Sequence, residues 1–216
     1  MQALSLAAHW PEIAERVLVI AATASMPAQN IAFQEVGRQA IMADPHWQGG
    51  DYYGTGTAPD AGLAVARMAA HITYLSEASL TEKFGRRLQD RATKSFGFDA
   101  DFQVESYLRH QGLAFTNRFD ANSYLFITRA MSYFDLAEEH GGRLADAFAG
   151  VTARFCVVSF DTDWLYPTEQ SRRLVHALNA AGVPVSFVEL SAPFGHDSFL
   201  LEVPNLDKVS AGFLSR

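Results

Sequence analysis

The chain has 216 residues, 49% of them apolar and 12% aromatic, with a formal net charge of −7. That supplies a sizeable core, and sixteen Phe against eight Pro argue against disorder. An acidic balance without any Lys/Arg run excludes a basic nucleic-acid-binding surface, and no apolar run reaches the roughly 20 residues of a membrane-spanning helix.

The opening residues, MQALSLAAHWPE, lack a basic start followed by a continuous apolar core, so no signal peptide is read there. The single cysteine, Cys156, leaves no internal disulfide and fits a reducing, cytoplasmic setting. Residues 1–15 have helical spacing, with Leu4, Ala7 and Ala8 on one side. RVLVIAATAS, a short apolar run bounded by small residues, predicts a buried strand of the parallel kind. From about Pro27 to Gly150 the pattern turns helical, interrupted by the turn-rich QGGDYYGTGTAPD. GLAVARMAAHITYLSE spaces Leu63, Ala66, Ala70 and Tyr74 along one face, with Arg67 close by. FDANSYLFITRAMSYFD predicts another amphipathic helix, capped at Asp120.

Strand character returns at ARFCVVSFDTD, followed by a helix over TEQSRRLVHALNAAG, a strand over VPVSFVELSAP and a closing helix over NLDKVSAGFLSR. Strand, helix, strand, helix is a right-handed parallel crossover. The division expected is therefore an α/β core in residues 1–26 and 151–216, with a helical insertion over 27–150. In an open parallel sheet, ligands sit beyond the carboxyl ends of the strands. One such end carries DTDWLYP and another APFGHDSFL, placing an acid after one strand and a histidine after the next. That order suits a base–acid pair, in which a carboxylate fixes the tautomer of a histidine that deprotonates a nucleophile. It suits equally a helix N-cap and a structural loop histidine. The Gly-x-Ser-x-Gly elbow that would hold a nucleophile is absent; Ser25 lacks flanking glycines, and Cys156 falls inside a predicted core strand.

The blocks MQALSLAAHWPE, AQNIAFQEVGRQAIMADPHWQGGDYY, GLAVARMAAHITYLSE, FQVESYLRHQG, FDANSYL, TDWLYP and GHDSFL together resemble the homoserine O-acetyltransferase family. The resemblance implies an α/β-hydrolase fold, present in part, with a helical lid inserted ahead of the acid-bearing strand. It implies that the nucleophilic serine sits in a Gly-x-Ser-Met-Gly-Gly stretch just before Met1, so the chain looks like the C-terminal portion of the enzyme. Asp163 matches the catalytic acid, with Asp161 as the rival two residues earlier, and His196 matches the catalytic histidine. Arg67 matches the group that binds the substrate carboxylate, Tyr74 a tyrosine facing the same site, and Asp197 the acid that meets the homoserine amino group. The resemblance further implies acetyl-CoA as co-substrate with no metal and no bound cofactor, and a homodimer formed through the lid helices. A succinyl-CoA-dependent relative would be expected to carry a cation after Asp-Trp, where this chain has Leu165. Two other readings are a plain esterase and a non-catalytic remnant, and residues 1–216 alone are expected to be poorly soluble and inactive.

Overall fold

The computed structural model describes residues 1–215; Arg216, the last residue of the predicted closing helix, lies outside the described residues. The chain divides into two compact units, one formed by residues 1–26 and 133–216 and the other by residues 27–132.

The first unit is built on a sheet of three parallel strands, β1 (Arg16–Ile20), β2 (Arg154–Phe160) and β3 (Val185–Leu190), in the order β1-β2-β3. Register pairs Leu18 with Cys156 and Val158 with Val188. Side chains alternate across a strand, and both faces of this sheet are apolar. Val17, Val19, Phe155 and Val157 join one core with Leu4 and Ala7 of α1 (Gln2–His9) and with Leu174 and Leu178 of α8 (Thr168–Ala180). Cys156, Val158 and Phe160 face the other core, which contains Leu190 and Leu206, the latter at the start of α9 (Leu206–Leu214). A strand buried on both faces has no use for polar alternation, which is why β2 reads as a near-continuous apolar run. Burial also pushes the Cys156 thiol upward, so it stays a core group.

Residues 133–150, expected to close the helical insertion, pack instead with the first unit. Leu136, at the start of α7 (Leu136–Glu139), and Phe148 are fully buried in the core shared by β1 and β2. The backbone there also runs antiparallel to the segment after β1, with Met26 N–H donating to the Phe134 carbonyl and Leu136 N–H to that of Ala24. Local helical periodicity carries no information about which core receives it.

The second unit is helical, with α2 (Ala28–Ala43), α3 (Asp60–Tyr74), α4 (Glu77–Lys83), α5 (Gln103–Thr116) and most of α6 (Ala121–Tyr133). Ile41, Leu63, Ala66, Phe115 and Ala121 form its core with Tyr52. Helices α2 and α3 approach closely at Gly62, where an added Cβ would lie 2.4 Å from the Ala40 carbonyl oxygen. The buried Asp44 carboxylate, just past α2, receives the Gly62 N–H at 2.9 Å and its own loop's His46 N–H at 3.0 Å. Burial raises the Asp44 pKa, and these donors outweigh burial and hold it below the usual range. Asp120 does cap α6, its carboxylate accepting the Ser123 N–H at 2.7 Å.

Candidate active site

Asp163 follows β2 directly, in a turn that closes back on the Phe160 carbonyl. Its side chain is fully buried, and a buried carboxylate requires donors. One oxygen, Oδ1, accepts the backbone N–H groups of Leu165 at 3.0 Å and Tyr166 at 2.9 Å. The other, Oδ2, lies 2.9 Å from Nδ1 of His196. An ionised carboxylate only accepts, so His196 donates through Nδ1, and Nε2 becomes the nitrogen that can take up a proton. Both neighbours come from carboxyl ends of adjacent parallel strands, β2 and β3.

His196 stands in a short 3₁₀ turn, Gly195–Leu200, entered through Gly195 at φ +74°. A left-handed residue at that place turns the chain sharply out of β3, and glycine takes that conformation without Cβ strain. The imidazole is largely covered, with 15% of its side chain exposed. Tyr166 and Phe199 flank it at ring-centroid distances of 5.1 and 5.2 Å. Asp197 is half-buried in the same turn.

Asp161 has a different task. Its Oδ1 accepts the Ala192 N–H at 3.0 Å, in the loop ahead of the histidine. Burial raises its pKa, but hydrogen bonds from the Ser191 side chain and the Ala192 N–H outweigh that and hold it low. Thr162, between the two acids, also binds that loop, a role the sequence reading passed over. The D-T-D triplet at a strand end was its only visible trace.

Arg67 and Tyr74 sit together in the second unit, on α3. The guanidinium lies 4.6 Å from the Phe115 ring centroid and 5.4 Å from that of Tyr74. Its Nε is buried without a hydrogen-bond partner, and no ion pair to it is found among the described residues. One helical turn on, His71 is buried, and its Nε2 likewise lacks a partner. Burial pushes the His71 imidazole down to about 4, with Arg67, Lys83 and Arg118 adding to the effect. So the imidazole is neutral at pH 7. Two orphaned nitrogens on one helix face form a polar patch with a cation and no counter-charge.

No protein-family model matches the chain. The chain is 69% identical over 214 residues to a homoserine O-acetyltransferase of Zymomonas mobilis subsp. mobilis. Over the part it spans, this chain is similar in sequence to the homoserine O-acetyltransferases. A second member, from Mesorhizobium japonicum, is 64% identical over the same number of residues. Both matches cover 99% of this chain, but 57% and 55% of the relatives, so the chain spans a little over half their length. Among solved structures, homoserine O-acetyltransferase from Bacillus anthracis has a TM-score of 0.86 at 22% identity, over 98% of this chain and 56% of that one. Esterase E22 has a TM-score of 0.80, also at 22% identity, over 99% of this chain and 56% of its own. At such identity the likeness establishes the fold, that of the α/β-hydrolases, and says nothing of the reaction.

Proposed function

We propose that the chain is the portion of a homoserine O-acetyltransferase that carries the general base and its acid. The observation that carries this reading is the Asp163–His196 hydrogen bond of 2.9 Å in a sequence 69% identical to an enzyme of that name. The serine nucleophile belongs in the part of the relatives' length that this chain does not span, in a Gly-x-Ser-Met-Gly-Gly stretch ahead of Met1.

The chemistry is acyl transfer in two half-reactions. His196 Nε2 takes the serine proton as the serine oxygen bonds to the thioester carbonyl carbon of acetyl-CoA. The carbon–sulfur bond then breaks, and the departing thiolate takes that proton from His196. In the second half, His196 removes the homoserine hydroxyl proton while that oxygen attacks the acetyl-serine. The serine leaves with the proton, and O-acetylhomoserine is released. Asp163 holds Nδ1 throughout and stabilises each transient imidazolium.

Arg67 is assigned to the homoserine carboxylate, with Tyr74 beside it, and Asp197 to the amino group. The unpartnered Nε and absent counter-charge of Arg67 suit an anion that arrives with the substrate. A plain ester has no use for that cation, which argues against simple hydrolysis. Leu165, after Asp163 and Trp164, supplies no charge for a succinyl carboxylate, so the donor is taken as acetyl-CoA. The helices of residues 27–132 are read as a lid that limits loss of the acyl-enzyme to water. Exposed Leu113, Phe126 and Ile127 on α5 and α6 suit a homodimer made through that lid. The setting is read as cytoplasmic, from the lone cysteine.

The test uses protein expressed from its complete reading frame, supplied with acetyl-CoA with and without L-homoserine. O-Acetylhomoserine formed in step with thiol release supports the reading. Thiol release with acetate as the only acyl product would replace it with a hydrolase. Higher kcat/KM with succinyl-CoA would replace the donor.

A further inference from the structure

The three residues that leave β2, Asp161, Thr162 and Asp163, each bind the segment that leaves β3. Asp161 takes the Ala192 N–H at 3.0 Å, and Asp163 takes His196 Nδ1 at 2.9 Å. Between them, the Thr162 hydroxyl donates to the Ala192 carbonyl and accepts the Gly195 N–H at 3.0 Å. One oxygen thus ties both ends of the four-residue loop Ala192–Gly195. That loop needs such a tie, because it contains Pro193, has no ladder partner, and ends in Gly195 at φ +74°. Glycine gives the turn its shape but also lets it move.

We infer that Thr162 is a positioning residue for His196, setting where the imidazole sits relative to Asp163 through the Ala192–Gly195 loop. Asp163 alone fixes one nitrogen. That bond and the flanking Tyr166 and Phe199 rings orient the imidazole but do not fix the backbone bend that carries it. The ring can therefore shift with the bend, whereas Nε2 must stay aligned through two proton transfers in opposite directions. Holding the backbone on both sides of the bend removes that freedom. The hydroxyl is suited to this because it donates and accepts at once; valine, its isostere, keeps neither capacity, and the smaller serine keeps both. This inference rests on His196 being the general base.

The experiment compares Thr162→Val and Thr162→Ser in the protein as its gene encodes it. Two readouts are taken: the low-field proton signal of His196 Nδ1–H, which needs no substrate, and kcat with KM for both substrates. Thr162→Val is expected to weaken or abolish the Nδ1–H signal through faster exchange. It should lower kcat by about ten- to a hundredfold with KM little changed, as expected for a misaligned reacting group. Thr162→Ser should restore both. A Thr162→Val protein that melts earlier but keeps the Nδ1–H signal and kcat would reduce Thr162 to a structural tie and overturn the inference, as would failure of serine to rescue. If the wild-type protein transfers no acetyl group to homoserine, the proposed function falls, while the Nδ1–H comparison still decides the role of Thr162.

Discussion

Asp163 and His196 are 33 positions apart in the chain, and their side chains meet at 2.9 Å because β2 and β3 run parallel and adjacent. Asp161, only two residues from Asp163, turns its carboxylate to a backbone N–H instead. Substitution separates the two acids. Asp163→Asn keeps the shape but can reverse the hydrogen bond and hold the wrong tautomer, so kcat should fall on the order of 10⁴-fold. Asp161→Asn keeps an acceptor for Ala192 and should cost less than about tenfold. Steady-state kinetics on the complete enzyme would distinguish them; equal losses would remove Asp163 from its assigned role.

Arg67 offers a fork whose Nε is unpartnered. Arg67→Lys keeps the charge and loses the planar pair of donors. KM for homoserine should rise roughly ten- to a hundredfold, the worth of a charge-assisted hydrogen bond, while KM for acetyl-CoA stays put. Changes of equal size in both constants would point to damage in the Phe115 stack instead.

His71 titrates near 4 when folded and near 6.5 when unfolded. Between those values the unfolded chain holds more protons, so stability rises with pH across this window and falls as acid is added. Thermal unfolding followed from pH 7 down to pH 4 should show that loss, and His71→Gln should flatten it. A slope that survives the substitution assigns the acid sensitivity elsewhere.

Gly62 admits no side chain, since a Cβ would sit 2.4 Å from the Ala40 carbonyl oxygen and 2.7 Å from the Ile41 Cα. Gly62→Ala must push α2 and α3 apart and should cost about 1–3 kcal/mol in urea unfolding. An unchanged midpoint would mean that the helix pair slides at no cost.

Residues 1–216 contain no Gly-x-Ser-x-Gly elbow, and β1 is an edge of the sheet among the described residues. Expressed as such, the chain should transfer no acetyl group and should elute as aggregates on size exclusion, because an apolar edge recruits other strands. Normal turnover by that chain would defeat both the prediction and the serine mechanism.

Much of this protein is legible along the chain. The apolar runs at 16–20 and 154–160 announce buried parallel strands, because a strand covered on both faces needs no alternation. Asp120 announces the start of α6, because an N-cap is a local device. The order of acid and histidine at successive strand ends is visible too, since it follows from chain direction. The resemblance favoured Asp163 over Asp161, but residue types and spacing did not separate them, and the tertiary structure is what shows Asp163 meeting His196. Both stand in one turn, and the choice depends on where each carboxylate points once β3 is laid beside β2. It also decided that Leu136 and Phe148 belong to the core of the sheet, although their neighbours in sequence are helical. The reason is the same in both cases: periodicity records which face of an element is apolar, while the partner of that face is set by contacts between residues far apart in sequence.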